Sequence, residues 1–188
     1  MATLVDWQIE ELATNLRMIQ PFNPDQLNPA SYDVKIGPIG KLHKNGSTSR
    51  FQLPVHVKKG DLWLFSTKEK IKLPPNIEAT FQLKSSRARE GWNHLLAGYI
   101  DPGYEGYPTL EVLWQGNEDF NVMNEDFLFG QIRFNICSDT SRKPYNQTGH
   151  YMYDSEPTES KVDNYRGIVQ TEENILGDIE ESTVPLDG

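Results

Sequence analysis

Three short stretches between Lys84 and Glu111 carry the residue types that could act on a phosphorylated small molecule. The first, KSSRAR, sets two hydroxyls (Ser85, Ser86) among three cations (Lys84, Arg87, Arg89). Short hydroxyl donors and a guanidinium fork can converge on the delocalised charge of a phosphate. Taken alone, the same stretch also fits a polar turn after a strand. The second, AGYIDPGYEG, crowds glycine and proline around one acid, Asp101. So bare a backbone can approach a ligand closely, with Asp101 accepting from a sugar hydroxyl and Tyr104 offering a ring face. It equally fits a hairpin turn capped by Asp101. The third is Glu111, which interrupts the apolar strand PTLEVLW. A carboxylate there faces either solvent or a site. Partly buried, its pKa rises, and it can take a proton from water and deliver it to a leaving amine.

These residues need elements to hold them. Trp7, Ile9, Leu12 and Leu16 recur at helical spacing, predicting one amphipathic helix over residues 5–18, with Asp6 as cap and Pro21 and Pro24 beyond its end. From residue 32 the pattern changes to short alternating runs: SYDVKIG, FQLPVHV, GDLWLFST, IEATFQL, PTLEVLW, FNVMN and QIRFNIC. Turn residues separate them, which predicts an all-β sandwich, jelly roll or barrel. There is no βαβ rhythm and no internal repeat. The strand pattern stops after Cys137, and residues 138–167 are polar, Pro- and Gly-dotted and rich in Tyr, as in an ordered lid or an arm on a neighbour. The expected organisation is one domain over 1–153 and an acidic segment over 154–188, a lid or a mobile tail.

Charge and composition exclude several classes. Of the net −9, the segment from Asp154 onward carries −8, with ten acids against Lys161 and Arg166. The body is therefore nearly neutral, able to hold a local cationic pocket for a nucleotide but lacking the basic footprint of a nucleic-acid binder. No apolar run is long enough for a membrane span, and MATLVDWQIEEL lacks the features of a signal peptide. One cysteine builds neither a disulfide framework nor a cysteine zinc site, so a cytoplasmic protein is expected. Zinc nucleobase deaminases pair His-x-Glu with Pro-Cys-x-x-Cys. Here one Cys and four histidines (His43, His56, His94, His150) offer no such spacing. P-loop, GxGxxG and Gly-x-Ser-x-Gly motifs are likewise missing.

SSRAR followed by AGYIDPGYEGYPTLEV resembles the dCTP deaminases of the dUTPase-like superfamily, whose pattern is SS-x-AR, A-G-aromatic-I-D-x-G-aromatic-x-G, then TLE. SYDVKIG, GDLWLFSTKEKIKLPPNIEATFQLKSS and FGQIRFNI are similar to other family segments, so the likeness spans roughly residues 30–137. The resemblance implies a mainly β fold: a distorted, jelly-roll-like barrel with a short N-terminal helix and an irregular C-terminal arm. It implies a homotrimer with interface sites that converts dCTP to dUTP and ammonia without zinc, Mg2+ travelling with the triphosphate. Carried residue by residue, Glu111 activates the water, and Ser85 and Arg89 serve the active site. Lys84 and Ser86 belong to the nucleotide site. Ala97 offers a carbonyl near the exocyclic amine and Ile100 backbone groups to the pyrimidine. Asp101 takes the 3′-hydroxyl, Tyr104 lies against the sugar, and Gln131 is a further nucleotide contact.

The family's C-terminal phosphate grip is matched by NYRGIVQ at Tyr165 and Arg166, but Asn164 stands where a lysine is expected. That departure leaves a monophosphate or modified cytidine nucleotide open as substrate. Some deaminases with this block also hydrolyse dUTP, so a bifunctional enzyme yielding dUMP and pyrophosphate is the alternative. A non-catalytic nucleotide-binding regulator is the alternative from another class. The dUTPases share the Asp block but normally lack the strand Glu. His94 reads as a surface or interface residue, Trp92 and Trp114 as packing, and Cys137 as core.

Overall fold

A computed structural model of the chain describes residues 2–161. After a short strand β1 (Ala2–Thr3), the predicted helix is present as α1 (Asp6–Asn15). Its start differs from expectation. Val5 is the extended cap residue, while Asp6 opens the first turn and accepts from the Trp7 amide at 2.8 Å. An acid there complements the positive end of the helix dipole. Ile9 and Ala13 face inward, whereas Trp7 and Leu16, expected on the apolar face, are exposed.

The chain then runs through β2 (Ile19–Gln20), a 3-10 turn (Pro24–Gln26) and β3 (Leu27–Asn28) to β4 (Ser31–Lys44), the longest strand. SYDVKIG is only the first half of β4. Pro38 does not stop it, because the pairing shifts register between Ile36 and Gly40 and the missing N–H falls within that irregularity. Asn45 and Gly46, at φ 52° and 74°, turn the chain into β5 (Ser47–Gln52). This is the two-residue hairpin that Asn-Gly favours. FQLPVHV is therefore not one strand: it divides between the end of β5 and β6 (Val55–Val57).

The remaining elements are β7 (Leu62–Thr67), β8 (Lys70–Lys72), β9 (Ile77–Leu83), α2 (Ser85–Glu90), β10 (Trp92–His94), β11 (Tyr99–Ile100), β12 (Glu105–Gly106), β13 (Thr109–Trp114), β14 (Phe120–Val122), β15 (Leu128–Ile136) and α3 (Tyr145–Thr148). One ten-stranded sheet runs β10-β13-β7-β4-β15-β9-β11, with β1 on β15 and both β3 and β5 on β4. Two small sheets, β12-β8-β2 and β14-β6, complete the fold. The architecture is mainly β, as expected. Among the described residues no helix is long and apolar enough to cross a membrane.

The core lies inside the curled sheet. Trp63, Phe65, Phe129 and Phe134 are almost wholly buried, each contributing about 1.5–3 kcal/mol through lost apolar exposure. Trp92 stacks into this cluster, 5.1 Å from Trp114 and 5.2 Å from Phe129 between ring centroids. Both tryptophans are thus packing residues. Cys137 differs from the reading: it follows β15 and is partly exposed rather than core.

Candidate active site

Strand alternation places Glu111. On β13, Leu110, Val112 and Trp114 are buried inward, so Thr109, Glu111 and Leu113 point to the other face. On the neighbouring β7, Leu64 stands directly opposite Glu111. This face forms the floor of a cavity of about 910 Å³ whose walls include Ala97, Ile100, Asp101 and Tyr104. Five residues selected from sequence are therefore gathered around one space. Glu111 Oε2 is buried and lacks a hydrogen-bond partner among the described residues. Burial pushes its carboxyl above the ordinary range, because an ionised group loses hydration there.

The Gly-rich block is both a turn and a wall. The Phe81 amide donates to the Gly98 carbonyl at 2.7 Å, and β11 pairs with β9 (Ile100 opposite Ala79). The Tyr104 amide closes on the Asp101 carbonyl at 3.2 Å, with Gly103 at φ 83°. Burial, followed by nearby Glu78, raises the Asp101 carboxyl. Tyr104 is buried, 5.7 Å from the Tyr145 ring, and its phenol is pushed well up by burial. Tyr99 donates to Glu78 at 2.9 Å, and burial with that bond pushes its phenol up to about 12.

A second group lies elsewhere. Lys84, Ser85, Ser86, Arg89 and Gln131 do not line this cavity. The stretch KSSRAR is not a turn but the helix α2, capped by Lys84 and ended by left-handed Gly91 at φ 115°. Ser85, Ser86 and Arg89 are exposed on it. Lys84 pairs with the buried carboxylate of Asp33, whose other oxygen accepts from Asn28 at 2.9 Å. Gln131 stands opposite Asp33 in the β15–β4 ladder and accepts from Ser31 at 3.1 Å. Lys84 thus binds Asp33, a residue not singled out from sequence, beside which Gln131 stands in the ladder. Arg87 turns away, pairing with Glu90 at 2.8 Å and covering the Phe127 ring at 4.4 Å. Tyr165 and Arg166 lie outside the described residues.

The cavity has a cover, part of which comes from the polar stretch after Cys137 that reads as an ordered lid or an arm on a neighbour. The β4–β5 hairpin supplies His43 and Thr48, and the segment after α3 supplies Tyr151, Asp154, Thr158 and Glu159. Residues 154–161, assigned to the acidic segment from sequence, lie against the barrel. The Thr158 amide donates to Thr109 Oγ1 at 3.0 Å, and Arg50 grips Glu156 with two bonds at 2.9 and 2.7 Å. The Asn45-Gly46 turn signal could have revealed the hairpin. His94 is also corrected. It pairs opposite Val112, faces inward and packs edge-on to Phe81 at 4.8 Å, and burial lowers its pKa.

Known proteins place this arrangement. A family model described as dCTP deaminase-like matches residues 3–137. A protein of Bifidobacterium longum named "dCTP deaminase, dUMP-forming" is 31% identical, over 76% of this chain and 84% of its own. The dCTP deaminase of Thermococcus gammatolerans is 34% identical, over 79% of this chain and 90% of its own. In fold, the chain is similar to the crystal structure of 2′-deoxycytidine 5′-triphosphate deaminase from Agrobacterium tumefaciens, with TM-score 0.61 and 20% identity over 72% of this chain. It spans about half (48%) of that protein's chain. The match over most of the length, including all three stretches between Lys84 and Glu111, means that the chain belongs to the dCTP deaminase-like family.

Proposed function

We propose that this protein deaminates dCTP hydrolytically to dUTP and ammonia, with Glu111 activating the water. The observation that carries this reading is a partly buried carboxylate, one oxygen unpartnered, in the same cavity as Asp101 and Tyr104. Glu111 takes a proton from water as its oxygen attacks C4 of the cytosine. It passes that proton to N3 of the ring and then carries the proton of the new C4 hydroxyl to the amine, which leaves as ammonia as the C4 carbonyl forms. The Ala97 carbonyl holds the exocyclic amine, Ile100 backbone groups meet the pyrimidine, and Asp101 and Tyr104 hold the sugar.

Ser85, Ser86 and Arg89 are exposed and outside the cavity of their own chain. This supports a homotrimer in which a neighbouring copy brings α2, with Lys84 and Gln131, to the phosphates; such head-to-tail contacts close into rings. Tyr165 and Arg166 complete the phosphate grip. Mg2+ arrives on the triphosphate, and no zinc takes part. The test is ammonia release from dCTP by the wild type and by Glu111→Gln. The variant should bind nucleotide and release no ammonia; retained turnover overturns the mechanism. A second reading, a bifunctional enzyme giving dUMP and pyrophosphate, is favoured by the dUMP-forming relative. Chromatography of the product separates the two.

A further inference from the structure

We infer that Leu64 is a positioning residue for the deamination: it keeps Glu111 dry and stands between its carboxylate and Lys41. The inference rests on the reading of Glu111 as the base. Three side chains form a row across the outer face of the sheet. Lys41 on β4 is opposite Leu64 on β7, which is opposite Glu111 on β13. Directly opposed residues have Cβ atoms about 4.5–5.5 Å apart, and Lys41 lies two strands from Glu111, about 10 Å at the backbone. Leu64 is only 8% exposed although it lines the cavity beside Leu62. Glu111 therefore has a buried apolar side chain as its direct cross-strand neighbour.

Lys41 is engaged from the other side, 3.7 Å from Glu159 in the covering segment. The other titratable groups around the cavity are His43 on β4, Tyr99 and Asp101 at β11, Tyr104 and Tyr107 flanking β12, Tyr145 on α3, and Tyr151, Asp154 and Glu159 in the cover. The elevation of the Glu111 carboxyl comes first from burial. A polar side chain at position 64 would hydrate the carboxylate and open a path for Lys41; both changes favour the ionised form.

The test uses the full chain, with Leu64→Asn, Leu64→Ala should the first not fold, and Leu64→Met as the conservative variant. Carbon NMR of labelled glutamate follows the Glu111 carboxyl, assigned by its loss in Glu111→Gln, and ammonia release from dCTP gives the pH profile of kcat. In Leu64→Asn or Leu64→Ala, both the carboxyl midpoint and the acid limb of kcat should move to lower pH, while Leu64→Met restores the wild-type midpoint. A midpoint unmoved in a folded Asn or Ala variant overturns the role of Leu64. A moved midpoint with an unmoved acid limb overturns instead the assignment of Glu111 as the base.

Discussion

Replacing Glu111 by Gln should stabilise the folded protein at neutral pH while removing its activity. One oxygen of this carboxylate is buried without a partner among the described residues, and burial raises the carboxyl above its ordinary value of 4.5. The folded state therefore holds the proton more tightly than the unfolded chain does. The group contributes most below the unfolded value, and that contribution is lost as pH rises through the folded value. As pH rises above the folded value, the wild type carries the cost of an ionised, underhydrated carboxylate. An unsatisfied buried polar group costs about 1–3 kcal/mol. Glutamine keeps the shape and removes the charge but retains a polar amide, so a gain of about 1 kcal/mol is expected. For a chain of this size that is a Tm increase of about 2–4 °C. Thermal unfolding should be followed at matched protein concentration, since assembly makes Tm concentration-dependent. The increment should shrink towards zero as pH falls below the ordinary carboxyl value. No increase at pH 7.5, or an increase that persists unchanged at pH 4, would mean that the Glu111 carboxylate is not underhydrated in the folded protein.

Two other predictions concern the walls of the cavity. Arg50→Ala removes the grip on Glu156; being an exposed pair it should change Tm little, yet hydrogen exchange at the Thr158 amide, bonded to Thr109, should quicken while β15 stays protected. Unchanged exchange would mean that the cover is held by other contacts. In Gly98→Ala the new Cβ would lie 2.4 Å from the Phe81 carbonyl and 3.0 Å from the His94 ring. Displacing β11 from β9 should cost about 1–3 kcal/mol and weaken nucleotide binding, measured by calorimetry; wild-type affinity and Tm would contradict the packing described.

Much of this fold was legible because alternation marks strands locally. PTLEVLW is β13 with Glu111 on its outer face, and IEATFQL is β9 without revision. Features that depend on long-range pairing were not. Pro38 and Gly40 break the alternation of β4, although the register shift between Ile36 and Gly40 accommodates the proline. His94 sits in a polar-looking stretch, WNHLL, and only its pairing with β13 turns it inward. Glu111 was recognisable as a carboxylate on an apolar strand. Its depth was not, because the cover comes from residues more than forty positions later, held by Thr158 and Glu156. The separation of Ser85, Ser86 and Arg89 from the Glu111 cavity was equally invisible, since proximity in sequence says nothing of which face an exposed helix serves.

Deamination is read by incubating the purified chain with dCTP and Mg2+, assaying ammonia and separating the nucleotides. One ammonia is expected for each dCTP consumed, with dUTP accumulating; dUMP with pyrophosphate would identify the bifunctional form of the same chemistry. Nucleotide bound without any ammonia released would contradict the account and leave a binding protein.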